Sequence, residues 1–134
     1  MIDKLTRLEE NLKALKSIKN EYSLNDILSD KVDEWGLRYG LLESIQIIID
    51  IACHIVAENN LATPKNYSEC ITILAANNYI TKDLSNKLKR MTGLRNLLVH
   101  DYGIIDPAKL YEYLDHLNDI NDFIYAVRES FRRQ

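Results

Sequence analysis

Between Val32 and Val56, apolar side chains recur at helical spacing along two adjacent seams, and this double pattern limits the chain to folds with a helix buried on more than one side. Val32, Trp35, Tyr39, Leu42, Ile49, Cys53 and Val56 make one seam, and Leu41, Ile45, Ile48, Ala52 and Ile55 make the other. An apolar face that wide needs two or more neighbouring helices to cover it. The segment is therefore expected to be the central helix of a bundle. Gly36 and Gly40 sit one turn apart within it, each costing about 1 kcal/mol of helix propensity relative to Ala. Such a pair points to close approach of another backbone, and a second copy of the chain is one candidate.

The remaining segments repeat the same period. Leu5, Leu8, Leu12 and Leu15 stripe a helix from Ile2 to about Asn20, with charged residues between them. Ser23 followed by Asp26 resembles a capping box that opens a second helical segment, with a bend expected near Ser29-Asp30. Asn59 to Lys65, with Asn-Asn and Thr-Pro, is a connection, and Asn66 with Glu69 caps a short helix through Ile71 and Leu74. Thr81 caps the next, in which Leu84, Leu88, Met91, Leu94 and Leu98 keep helical spacing. Asp106-Pro107 starts the last, with Leu110, Tyr113, Leu117, Ile120, Ile124, Val127 and Phe131 along one seam. Tyr111 and Tyr113 follow this helix's pattern and are expected to pack or to lie on its surface. Strand signals, repeats and Gly-rich phosphate loops are missing. The expected fold is all-α: a single-domain antiparallel bundle of about five helices over residues 1–134.

Seventeen basic and twenty acidic side chains give a formal charge of −3, which excludes a general nucleic-acid coat and requires any RNA contact to be local. Lys82, Lys87, Lys89, Arg90 and Arg95 share one segment opposed only by Asp83, a local excess that also suits an ordinary solvated helix face. Cys53 and Cys70 fit no zinc spacing and read as reduced core residues. Asp50, His54 and Glu58 share a helical face. The Glu-x-x-His pairs of a carboxylate-bridged metal bundle are missing, so intrahelical pairing is expected there and no metal or cofactor. With no signal peptide and no apolar run near the ~20 residues that span a bilayer, the protein is expected in the cytoplasm without a membrane partner.

One stretch departs from packing logic. Leu94 to Gly103, Leu-Arg-Asn-Leu-Leu-Val-His-Asp-Tyr-Gly, gathers Arg95, Asn96, His100 and Tyr102 at the end of a helix. Arg is a permanent cation whose planar fork suits phosphate, and His changes charge most readily near neutral pH. The negative end of the helix further favours the protonated imidazole. Cleavage of RNA through its 2′-hydroxyl needs a proton acceptor, a donor to the leaving oxygen and a cation for the phosphorane, with no metal. Arg95 would steady the phosphate, His100 would transfer protons, and Asn96 would orient the imidazole or a phosphate oxygen. A helix-terminal His and a surface Arg in an ion pair would account for the same residues without chemistry. On a helix Arg95 and His100 lie about 140° apart and Asn96 and His100 about 40° apart. A symmetric dimer would bring both kinds of group around one phosphate.

Arg95-Asn96-Leu97-Leu98-Val99-His100-Asp101-Tyr102 resembles the Arg-x4-His-x-Tyr signature of the HepT toxins, a branch of the HEPN superfamily of helical ribonucleases. The resemblance extends to the order of helices, the chain length and the run from Leu41 to Ala52. It implies a metal-independent endoribonuclease that works as a homodimer with a composite cleft and is encoded beside a minimal, MntA-like nucleotidyltransferase antitoxin. It also implies that Arg95 and His100 are catalytic. Tyr102 then matches the tyrosine that the antitoxin adenylylates, adding negative charge where RNA phosphate must sit. The competing expectation is a non-catalytic helical adaptor or substrate-binding module for a nucleotidyltransferase.

Overall fold

The computed structural model describes residues 1–100 and 105–133. Among the described residues seven α-helices follow in order: α1 (Ile2–Glu21), α2 (Leu24–Ser29), α3 (Lys31–Glu58), α4 (Tyr67–Ala76), α5 (Lys82–His100), α6 (Pro107–Glu112) and α7 (Leu117–Arg132), with a 3₁₀ turn at Tyr113–His116 before α7. No strand occurs among the described residues. The five longer helices make the expected bundle, and the two short ones arise where local chemistry interrupts it. The Ser23 side chain accepts from the Asp26 N–H at 3.2 Å while Asp26 accepts from the Ser23 N–H at 2.8 Å, closing the capping box of α2. Asp30 then accepts from the Val32 N–H at 2.8 Å, so the expected bend is a full break and a new helix start. Likewise Asp106 caps Ala108 at 3.0 Å with Pro107 in the first turn. The last helix is not continuous: the Tyr113 N–H bonds back to the Leu110 carbonyl, tightening the chain into the 3₁₀ turn.

α3 is the central element, packed by α1, α4 and α5 along its length and by α2 and α6 near its start. Leu37, Leu41, Ile45, Ile48, Ile51, Ala52 and Ile55 are buried there against Leu5, Leu8, Leu12 and Leu15 of α1 and the apolar faces of α4 and α5. Each such Leu or Ile side chain taken from water contributes roughly 1.5–3 kcal/mol. α3 departs from the expectation about bilayer length. One 18-residue window of it has mean hydropathy 1.7, long and apolar enough to cross a membrane, but 56% of that window is buried within the bundle.

Three further expectations are corrected. The first seam does not stay inside: Val32, Trp35 and Tyr39 are 67%, 56% and 62% exposed, whereas Ile49 and Val56 further along it are buried, because among the described residues no neighbouring helix covers this side of the first turns of α3. The glycine pair has two different explanations. A Cβ on Gly40 would stand 3.1 Å from the Leu15 side chain of α1, whereas one on Gly36 would meet nothing within 4 Å. Finally, Cys53 and Cys70 are bonded as a disulfide, since the packing of α4 on α3 sets their Cα atoms 5.1 Å apart, inside the bridging range.

Candidate active site at the end of α5

α5 carries three of the four motif residues, because it starts at the Thr81 cap, whose hydroxyl accepts from the Leu84 N–H at 3.1 Å, and runs unbroken to His100. Leu84, Leu88, Met91, Leu94 and Leu98 face the core and fix the helix rotation. Arg95 is left half-buried at the rim, and Asn96 and His100 are exposed. Tyr102 lies outside the described residues, as does Gly103.

Arg95 is held from three sides. Its Nε donates to the side-chain oxygen of Gln46 on α3 at 2.9 Å, and its Nη1 donates to the side-chain oxygen of Asn96 at 3.1 Å. Its guanidinium carbon lies 5.8 Å from the ring centroid of Tyr67, the first residue of α4. Gln46 is itself oriented, donating through Nε2 to Asp50 at 2.9 Å, and Asp50 pairs with Lys4 of α1 at 3.5 Å. A line of polar contacts thus runs from α1 through α3 to the guanidinium. Among the described residues Nη2 of Arg95 has no protein partner, and its two N–H groups are available for an anion. The structure therefore brings Asn96 to Arg95, with Asn96 giving its carbonyl oxygen to the guanidinium. His100, the last described residue of α5, lies about 140° around the axis from Arg95 and about 40° from Asn96.

A hollow of about 460 Å³ adjoins this line, walled by Lys4, Arg7, Tyr39, Leu42, Gln46 and Val99. In its wall the Arg7 guanidinium donates to Glu43 at 2.6 Å. That bond, with further ones from Tyr39 and Asn11, holds the Glu43 carboxyl down at about 2. A second hollow, about 710 Å³, shares no residue with the motif. Of the basic residues of α5, Lys87 is committed to carboxylates. Lys87 pairs with Asp83 at 3.1 Å and lies 4.0 Å from Asp119, with its pKa raised mainly by the hydrogen bond to Asp83. Asp50, His54 and Glu58 do not converge. Asp50 turns to Gln46 and Lys4, while His54 meets Glu58 at 2.6 Å. Among the described residues no cluster of three or more His, Cys, Asp or Glu side chains is arranged to hold a metal ion.

Gln46 and Tyr67 are the site residues that the sequence did not single out. Gln46 carried a weak signal, a polar side chain inside the apolar run of α3. Tyr67 carried none, since its contact with Arg95 exists only once α4 packs on α5.

Residues 8–127 match the family model described as "Ribonuclease HepT-like". The chain is 29% identical over 136 residues to the mRNA nuclease HepT of Shewanella oneidensis, covering 96% of each. It is 31% identical over 139 residues to the tRNA nuclease HepT of Aphanizomenon flos-aquae, covering 93% of this chain and 92% of the relative. The tri-AMPylated HEPN toxin of Shewanella oneidensis, solved in complex with the MNT antitoxin, superimposes with a TM-score of 0.86 at 30% identity over 96% of each chain.

Proposed function

Because the chain belongs to the HepT-like ribonuclease family, we propose that it is a metal-independent endoribonuclease toxin that cleaves RNA in a cleft shared by two copies of the chain. The observation that carries this is the fixed guanidinium of Arg95, held by Gln46 and Asn96 with Nη2 left for a phosphate, at the end of a helix that terminates in exposed His100. In the proposed reaction an imidazole takes the proton of the 2′-hydroxyl. The 2′-oxygen bonds to phosphorus, the bond to the 5′-oxygen breaks, and a second proton donor completes the leaving hydroxyl. The products are a 2′,3′-cyclic phosphate and a 5′-hydroxyl. Arg95 stabilises the pentavalent phosphorane, whose charge exceeds that of the substrate, and so acts more strongly on the transition state than on the bound RNA.

Acid and base must stand on opposite sides of the phosphorus, and one chain offers a single motif histidine turned away from its arginine. Two copies supply both. The exposed stripe of Val32, Trp35 and Tyr39 supports this pairing, as does Gly36 beside it with open space where a Cβ would stand. The hollow at Tyr39 and Leu42 carries the same face up to Val99 on α5. The partner that neutralises the toxin is an MntA-like nucleotidyltransferase, and its target is the Tyr102 hydroxyl, two residues beyond His100. AMP there would put negative charge into the position of the RNA phosphate. An RNA target of the mRNA or tRNA class implies action in the cytoplasm.

Purified protein incubated with structured RNA in EDTA tests the proposal. Wild type is expected to cut and leave 2′,3′-cyclic phosphate ends, with His100→Ala at least a hundredfold slower at equal dimer content. Equal cutting by both proteins, or none by an unmodified wild type, would move the adaptor role ahead.

A further inference from the structure

We infer that Tyr67 is the nucleobase platform of this site, stacking the base of a nucleotide next to the phosphate held by Arg95; this rests on the ribonuclease proposal above. Tyr67 is 61% exposed although its ring lies 5.8 Å from the Arg95 guanidinium carbon. A large aromatic left in water beside a phosphate-binding cation matches the two faces of a nucleotide, one anionic and one flat and apolar.

Both groups are held before substrate arrives. Tyr67 opens α4 directly after the Asn66 cap, whose side-chain oxygen accepts from the Glu69 N–H at 3.0 Å. One turn on, Cys70 is buried and bonded to Cys53 of α3. Arg95 stands on α5 and is clamped by Gln46 of α3. The backbone positions that carry ring and cation are therefore set by three helices packed on one another, which spares the cost of ordering loops on binding. Attack by a 2′-hydroxyl requires the oxygen in line with the leaving group, and a base splayed onto a fixed ring helps a single strand to leave helical stacking and reach that arrangement. No base edge is read by a ring face, so the platform tolerates sequence while selecting unpaired nucleotides.

A single-stranded oligoribonucleotide spanning one mapped cleavage site, intact or with an abasic residue on either side of the cleaved phosphate in turn, separates this role from a mere brace for Arg95. For wild type, one of the two abasic substitutions is expected to raise KM on the order of tenfold. Tyr67→Ala should show that same rise on intact RNA and no further loss on the abasic strand, while Tyr67→Phe and Tyr67→Trp behave as wild type. An unchanged abasic penalty in Tyr67→Ala overturns the inference. So does an equal fall in kcat on both substrates, which would make the ring a support for the guanidinium. Reduced self-association of Tyr67→Ala would assign the ring to the contact between copies and also overturn it. If wild type cuts nothing, the ribonuclease proposal fails and takes the inference with it, an outcome distinct from the other three.

Discussion

Arg95 makes two hydrogen bonds and a ring contact before any RNA is present, and the most consequential of these is the one to Gln46. A long guanidinium side chain left to itself samples many rotamers, and ordering it during the reaction would add to the barrier. Gln46 removes that freedom while leaving Nη2 unengaged by described residues, so it acts as a positioning residue. Gln46→Ala is accordingly expected to lower kcat by about tenfold to a hundredfold with little change in KM or thermal stability, measured by steady-state cleavage and a melting curve. Gln46→Glu keeps an acceptor for Arg95 but sets a second carboxylate beside Asp50, and should recover part of the loss. A Gln46→Ala protein with wild-type kcat would remove the clamp from the mechanism. Asn96 is the companion case. Its oxygen accepts from Arg95, so it braces the guanidinium alongside Gln46.

At the scale of helices, the contact of α1 with α3 is apolar along the leucine stripe and polar along its flank. Glu43 of α3 is the centre of that flank, receiving the Arg7 guanidinium at 2.6 Å and the Asn11 amide at 3.2 Å from α1. The bond from Arg7 is the largest cause of its carboxyl falling from an ordinary 4.5 to about 2. A carboxyl depressed in the folded state stabilises it fully above the unfolded value and loses that contribution as pH falls toward the folded one. Wild type is therefore expected to melt roughly 4 °C above Glu43→Gln at pH 7, with the gap closing between about pH 4.5 and pH 2. Arg7 is largely exposed, which keeps the effect modest through solvent screening. Scanning calorimetry of both proteins across that range checks it, and a gap that persists at the acid end would show that Glu43 acts by packing alone.

For the whole molecule the decisive quantity is how many chains make one site. With a formal charge of −3, RNA must be met by a local group of cations, and pairing two copies would double those around a phosphate. Gly36 offers a clean handle on this. A Cβ there meets nothing within 4 Å in one chain, and any side chain replaces glycine in a helix interior, which favours folding of the monomer. Gly36→Trp is expected to leave the melting temperature of the monomer unchanged or higher, to shift sedimentation from dimer to monomer, and to reduce cleavage on the order of a hundredfold. A monomeric Gly36→Trp protein that cuts like wild type would rule out the composite cleft.

The features legible in the sequence are those decided within one or two helical turns. The Ser23–Asp26 box, the Asn66, Thr81 and Asp106 caps and the leucine stripes of α1 and α5 depend on neighbours three or four residues away, so local spacing suffices to place them. The same holds for Arg95, Asn96 and His100 sharing the last turns of α5, and for the angle that separates the arginine from the imidazole. Contacts between helices depend on packing angle and register, which no local period encodes. Tertiary structure alone brought Gln46 and Tyr67 to Arg95 from two other helices and paired Cys53 with Cys70, residues that had read as separate reduced thiols. It also left Val32, Trp35 and Tyr39 in solvent although their spacing matched that of the buried seam. Periodicity identifies which residues share a face, and the arrangement of neighbouring helices decides whether anything covers it.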